Sequence, residues 1–345
     1  MRRKFLCVVL VLAMVGSIAS VVYAQAPAPA KVYNWRLQST HPAGHDANEL
    51  LCKRIAKNLD AFSNGRIKLT IFASGALVPL SETLNMLGKG VFEMAFSYAG
   101  YWAGIMPVAN LECGFPGSWR TAGEQAAMFY DKGIIEILTK AYAEQGVRYL
   151  VNWSAAAEGY SIESKVKFKN LNDLKKLKVR AVGPNAMFLN NLGIQTVNVP
   201  YPEAYMALKL GTIDACAFGL RSWITAKLYE VTKYLLMPTI TIPHGNILMN
   251  IKLWNELPPD IKMIVNYATM EAVWYMFRRD DNEVELMYKS LEKELGCELI
   301  TLPPNDQAEM VKAQQKLWVD LVKDDYCKQF MKIVEDYARY KGHIK

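Results

Sequence analysis

The chain is poor in the residue types that most often carry catalysis. Histidine occurs four times in 345 residues, as His41, His45, His244 and His343. There is no GxSxG nucleophile elbow, no HExxH zinc pair and no glycine-rich phosphate cradle. His41 and His45 have the i, i+4 spacing of a helical metal pair, but Pro42 and Gly44 lie between them. That segment reads as a loop, and the pair as turn or pocket polarity rather than as metal ligands. Six cysteines are present, without a CxxC or a Cys/His cluster. No cofactor and no metal site is expected. Basic residues (40) exceed acidic ones (33) only slightly, with no basic block on a recognition motif, so nucleic acid is not an expected partner. Beyond the first 24 residues no apolar run reaches the ~18 residues of a membrane helix.

The beginning of the chain reads as a leader. Arg2-Arg3-Lys4 is a basic start, "FLCVVLVLAMVGSIASVVYA" is an apolar stretch, and Val22-Tyr23-Ala24 fits a small-x-small cleavage site. The mature chain is expected to begin near Gln25. An uncleaved anchor is the competing reading, although the strictly apolar core is short for a span. Cys7 lies at the very start of the apolar stretch, not after it, and does not sit in a lipobox. The formal charge is +7 and three positive charges lie in residues 2–4, which leaves +4 on the mature chain. About 320 residues remain, enough for two domains. An exported chain meets an oxidising compartment. Cys52, Cys113, Cys216, Cys297 and Cys327 are odd in number and widely spaced, and read as buried thiols; one disulfide stays open.

An Ala/Pro linker is followed by alternating strand, helix, strand, helix, strand: "VYNWRLQST", "DANELLCKRIAKNLDAFSNG", "RIKLTIFASG", "LSETLNMLGKG" and "VFEMAFSYAG". Asp46 and Ser81 read as helix N-caps. This order predicts an α/β sheet. A second α/β unit begins near "VRYLVNW" and continues through "LKVRAV", "QTVNVP" and "IDACAFG". From Pro259 to Gly296 apolar residues keep helical spacing. If unbroken, that helix spans about 50 Å, longer than one lobe; two helices broken near 279–282 are the alternative.

Binding needs less than catalysis: a crevice, apolar walls and a few fixed polar groups. In open α/β sheets the crevice lies beyond the strand carboxyl ends. Those ends carry Ser97-Tyr98, Asn152-Trp153, Arg180 and Phe218. Arginine offers a planar fork that matches a carboxylate. From position alone, Arg180 is equally readable as half of an internal salt bridge.

The motif order resembles the periplasmic solute-binding proteins of tripartite ATP-independent periplasmic (TRAP) transporters. "LNDLKKLKVRAVG" is similar to that family's "DLKGLKxRxxG" signature, and "VPYPEAYMALKLGTIDA" and "LWNELPPDIKMIV" match the segments that follow. The resemblance covers most of residues 32–320. It implies a two-lobe α/β clamshell, each lobe a mixed, mostly parallel sheet flanked by helices, with a long bridging helix. The lobes are then 32–150, with a return segment at about 240–275, and 151–239, with C-terminal helices at about 276–345, after a signal peptide (1–24) and linker (25–31). It implies a periplasmic receptor, not an enzyme, that closes on a small organic acid and delivers it to membrane permease subunits. Arg180 falls on the family's carboxylate-binding arginine.

Within the family, "GALVP", "GYWAG" and "IPHGNILMN" look closest to the members that bind 2-oxo and related hydroxy acids. Those members hold a metal ion with a Glu in "DAAEW" and a loop Gln. Here Ala217 and Phe218 replace the Glu and Trp, and the loop position falls near Ala156. A second arginine used by sialic-acid-like members is also missing. The expected ligand is therefore a monocarboxylate with an apolar or aromatic body, contacted by Arg180, Trp153, Phe218, Tyr98, Ser97, Asn152, Tyr160 and Trp223. Glu158 and Arg221 are alternative charge partners. A ligand sensor of the same fold and an exported hydrolase are the competing functions, and a homodimer stays open.

Overall fold

The computed structural model describes residues 31–154 and 159–344, with residues 154 and 279–289 by backbone alone. The leader, most of the linker, Ala156 and Glu158 lie outside the described residues. Asn34–Lys345 forms one compact unit. It contains two sheets flanked by helices.

The first sheet has the order β2-β1-β3-β10-β4, with β1 (Tyr33–Ser39), β2 (Ile67–Phe72), β3 (Met94–Ser97), β4 (Val147–Ser154) and β10 (His244–Asn250). Strand β1 runs parallel to β3, with Leu37 opposite Met94 and Ser39 opposite Phe96. Strand β10 lies antiparallel between β3 and β4, with Asn246 opposite both Ser97 and Asn152. The second sheet has the order β11-β9-β5-β8-β6-β7. Its strands are β5 (Tyr160–Ser164), β6 (Lys178–Arg180), β7 (Gln195–Val197), β8 (Ala215–Gly219), β9 (Tyr234–Met237) and β11 (Glu298–Thr301). Strand β6 is parallel to β7 and β8, and β5 is antiparallel to β8 and β9.

Both sheets are mixed because β5 and β10 each enter one lobe from the other. These crossings touch: the Tyr160 N–H donates to the Thr241 carbonyl (2.6 Å) and the Ile240 N–H to the Tyr160 carbonyl (2.7 Å). The return of 244–250 to the first sheet follows the sequence expectation. Two assignments need correction. "VRYLVNW" does not open the second unit: as β4 it completes the first sheet, because β10 supplies its partner. The final helix, Asp325–Tyr340, packs on the first-lobe helix Ile134–Glu144, while Pro304–Asp320 packs on the second-lobe helix Gly183–Asn191. Asp46 and Ser81 make no side-chain caps. Asp46 already has helical dihedrals, and its carboxylate reaches across the cleft to Arg221 instead.

The long helix Pro259–Lys293 is unbroken. Pro259 suits its first turn, where a missing N–H is no loss. Ile261, Val265, Ala268, Ala272 and Met276 form a fully buried stripe, and the helix packs on Lys53–Phe62 and β4. Arg54 Nε donates to Glu271 (2.7 Å) and Asn58 Nδ2 donates to the same carboxylate (2.6 Å). At the far end Leu291 enters the second-lobe core with Phe218, Trp223 and Leu235. One rigid element thus belongs to both lobes. Ile261→Ala should lower the unfolding free energy by about 2–5 kcal/mol. The measurement is the urea midpoint, with the slope unchanged; a midpoint equal to wild type would show that the stripe does not hold the helix.

Candidate functional site

The strand ends of both sheets converge on one cavity. From the first lobe come Thr40 and His41 after β1, Phe96, Ser97 and Tyr98 at the end of β3, Trp153 near the end of β4, and Pro243, His244 and Gly245 at the start of β10. From the second come Tyr160 at the start of β5, Arg180 at the end of β6, Phe218 and Gly219 at the end of β8, and Tyr201 and Ser222 from the flanking helical segments. The cavity measures about 60 Å³. A buried water needs ~10–15 Å³ on this measure, so the closed site suits a ligand of roughly four to six heavy atoms. Gly245 matters to its floor: a Cβ there would stand 2.9 Å from Phe96 Cε2 and 3.1 Å from Trp153 Cε3.

Arg180 is 1% exposed. Its Nε donates to the Val199 carbonyl at 2.9 Å and Nη1 reaches the Ala217 carbonyl at 3.5 Å. The guanidinium lies over the Phe218 ring, 4.3 Å from its centroid. Among the described residues no carboxylate forms an ion pair with it. Glu163 is close enough to feel the Arg180 charge, and burial, the larger effect, pushes its carboxyl well above the usual range. A buried cation with only carbonyl and ring partners is electrostatically incomplete. Immediately after it, Gly183 turns the chain at φ +57°, and a Cβ there would meet Gly100 Cα of the first lobe at 3.4 Å. The turn after Arg180 thus packs against the first lobe.

Ser97, Tyr98, Trp153, Tyr160, Arg180 and Phe218 line the cavity. Asn152 does not, because neighbouring strand residues face opposite ways and Trp153 takes the cavity side. Asn152 is instead buried in the first lobe, where it accepts from Gln125 and donates to Tyr149 Oη (3.2 Å) and the Gly245 carbonyl (3.3 Å). Trp223 is also absent from the lining. Its indole donates to Thr232 Oγ1 at 2.7 Å inside the second-lobe core. Arg221 pairs with Asp46 (3.3 Å). Thr40 escaped the sequence reading, and His41 was read there only as turn or pocket polarity, although the strand-end rule that found Ser97 applies equally to β1.

The first lobe meets the second through His45 and His41. Their rings stack at 4.0 Å, and both stand edge-on to Tyr201 at 5.9 Å. His45 Nδ1 accepts from the Ala47 N–H (3.0 Å), so Nε2 carries the proton and faces Ser222 Oγ at 3.3 Å. Thr40 Oγ1, His41 Nδ1 and Trp153 Nε1 are buried without a protein partner among the described residues. They are groups a ligand can satisfy. The five described cysteines are free and buried, with none in a disulfide.

Residues 35–325 match the family model described as bacterial extracellular solute-binding protein, family 7. The chain belongs to this family of TRAP-type solute receptors. A monocarboxylate 2-oxoacid-binding periplasmic protein of Nostoc sp. is 27% identical over 321 residues, covering 90% of this chain and 84% of that one. The 2,3-diketo-L-gulonate-binding periplasmic protein of Escherichia coli is 24% identical, covering 74% and 77%. A TRAP periplasmic solute-binding protein of Colwellia psychrerythraea, solved with calcium and pyruvate, superposes with a TM-score of 0.81 at 24% identity, covering 91% of this chain and 96% of that one. The likeness shows the two-lobe fold. The family is one of receptors rather than catalysts, and no described helix is long and apolar enough to cross a membrane.

No carboxylate lines the cavity among the described residues, Phe218 presents a ring, and no acidic, histidine or cysteine cluster suited to a metal is found among them.

Burial lowers the His45 pKa to about 4, with Asp46 opposing and Arg221 assisting; burial also lowers His244, to about 3. A depressed histidine favours the folded state above its unfolded pKa of about 6.5, and that contribution is lost as pH falls through the folded value. The melting temperature should therefore drop between pH 6.5 and 4, with His45 alone accounting for about 3 kcal/mol. His45→Gln should flatten this limb; an equally steep limb in the variant would remove His45 as its source.

Proposed function

We propose that the chain is the periplasmic receptor of a TRAP transporter, capturing a small organic monocarboxylate, a 2-oxo or hydroxy acid, between its lobes and delivering it to the membrane permease. The observation that carries this reading is Arg180, a buried guanidinium aimed into an aromatic cleft with no carboxylate partner among the described residues. A carboxylate completes it with two parallel hydrogen bonds. The single arginine supports one acidic head group, and a cavity of about 60 Å³ favours a short aliphatic body over an aromatic one. The names of the Nostoc relative and the Colwellia complex, which mention a 2-oxoacid and pyruvate, agree with this class.

The chemical steps are those of a clamp. The Phe218 ring and the Val199 carbonyl hold the guanidinium flat and fix its direction. The ligand's carboxylate enters along the open edge of the fork. Lobe closure then removes water, which strengthens the ion pair and is favoured because the ligand touches both lobes. Binding takes place without a metal, since Ala217 and Phe218 stand where a carboxylate and its neighbour would be required.

Arg180→Ala should weaken binding of short monocarboxylates by at least tenfold, in keeping with the ~1.5–3 kcal/mol of a charged hydrogen bond, with the melting temperature of the free protein little changed. Titration calorimetry over a panel of short oxo and hydroxy acids decides this, and unchanged affinity would remove Arg180 from the site. Dialysis against a chelator should leave affinity intact; its loss would restore a metal to the mechanism.

A further inference from the structure

The loop after β1 places one imidazole between the lobes. His45 is 1% exposed. On its own side, Nδ1 accepts from the Ala47 N–H at 3.0 Å. Across the cleft, Nε2 meets Ser222 Oγ at 3.3 Å, and the ring stands edge-on to Tyr201 at 5.9 Å. Ser222 and Tyr201 belong to the second lobe and line the cavity. A backbone N–H can only donate, so Nδ1 must keep its lone pair, and the single ring proton sits on Nε2, toward Ser222. A second proton would have to enter at Nδ1. There it would oppose the Ala47 N–H, donor against donor, and break the bond that orients the ring. Only the neutral ring fits the contact that His45 makes between the lobes. The charges around it agree. Burial, the largest effect, lowers His45 to about 4, with Asp46 opposing and Arg221 of the second lobe assisting. His41 stacks on the ring at 4.0 Å, so a proton on either histidine disfavours one on the other.

We propose that His45 is a positioning residue that couples ligand capture to pH: its neutral ring fastens the lobes over the ligand, and a proton taken up at Nδ1 unfastens them, so that the ligand is held at neutral pH and released on acidification. This rests on the reading of the cavity as a carboxylate site and adds the condition under which that site closes. Tyr201, Ser222 and Arg221 all reach His45 from the second lobe. When the lobes part, the ring keeps its own loop and meets water, and it titrates nearer its ordinary value of about 6.5. Closure below that pH expels one proton to solvent. A histidine whose value is lowered by closure favours the closed form above its open value, and that contribution is lost as pH falls toward about 4. Affinity therefore declines from about pH 6.5 downward. His244 lines the same cavity, but its ring neighbours Trp119 and Phe129 are first-lobe residues, which stay beside it when the lobes part.

The test is titration calorimetry with pyruvate and lactate across the range from pH 8 to pH 5, with folding at each pH checked by circular dichroism. Wild-type affinity should be level from pH 8 to 7, about threefold weaker at pH 6 and about tenfold weaker at pH 5. Binding at pH 6 should release protons, seen as a binding enthalpy that changes with the ionisation enthalpy of the buffer. His45→Gln should bind both acids at pH 8 and lose most of the pH dependence and of the proton release. His45→Asn can still accept from the N–H two residues on, but its shorter amide does not reach Ser222. It should also lose the pH dependence and should bind more weakly than the Gln variant at pH 8. Affinity as high at pH 6 as at pH 8 in folded wild type overturns the proposal. So does an undiminished pH dependence in either folded variant. Should both acids bind with no dependence on pH, this inference alone falls. Should folded protein bind neither acid at pH 8, the carboxylate reading falls and takes this one with it.

Discussion

A guanidinium withdrawn from water requires negative charge, or oxygens arranged to replace the lost solvent. Arg180 receives two carbonyls and an aromatic face, which orient it without neutralising it. The rest of the cleft follows from that deficit. Glu163 is close enough to feel the charge, and burial pushes its carboxyl well above the usual range. Phe218 and Tyr201 exclude water on one side, and Phe96 and Trp153 on the other. The arginine is consequently most stable when an anion joins it.

The two lobes share this dependence because no strand end carries a whole site. Arg180 and Phe218 come from the second sheet, Ser97 and Trp153 from the first. Contacts across the cleft include Asp46 with Arg221, His45 with Ser222, and the His41 and His45 rings against Tyr201. The helix Pro259–Lys293 and the paired crossings at Tyr160 and Thr241 join the lobes.

Much of this was legible along the chain. Alternating strands and amphipathic helices told the α/β class, because burial of one face leaves a period of two or 3.6 in the residues. Arg180 stood out because it closes a strand just before Gly183-Pro184, and Ser97, Tyr98, Trp153 and Phe218 by the same strand-end position. Asn152 and Trp223 share local features with those residues, yet turn away from the cavity. Strand parity decided the first, since Trp153 could face the ligand only if Asn152 did not. Packing decided the second: Trp223 found Thr232 and a core to fill. His41 and Thr40 follow the same strand-end rule, but along the chain the rule was not carried to β1 and the histidine pair read only as turn or pocket polarity.

Sequence by itself determined the receptor family, the two-sheet architecture, the long helix and the arginine at the end of its strand, because each is written in local periodicity or in a contiguous motif. Only the tertiary structure decided which sheet β4 and the final helix join, since a strand's partner depends on residues far along the chain. It alone also brought together the hydrogen bonds that link Ser97, Asn246, Glu112 and Tyr142. Glu112, Tyr142 and Asn246 are separated by up to 134 residues, and nothing in their local sequence shows that they share one buried proton network. Donor and acceptor polarity is a property of the assembled network, because each hydroxyl or amide takes its orientation from the neighbour that can only donate or only accept.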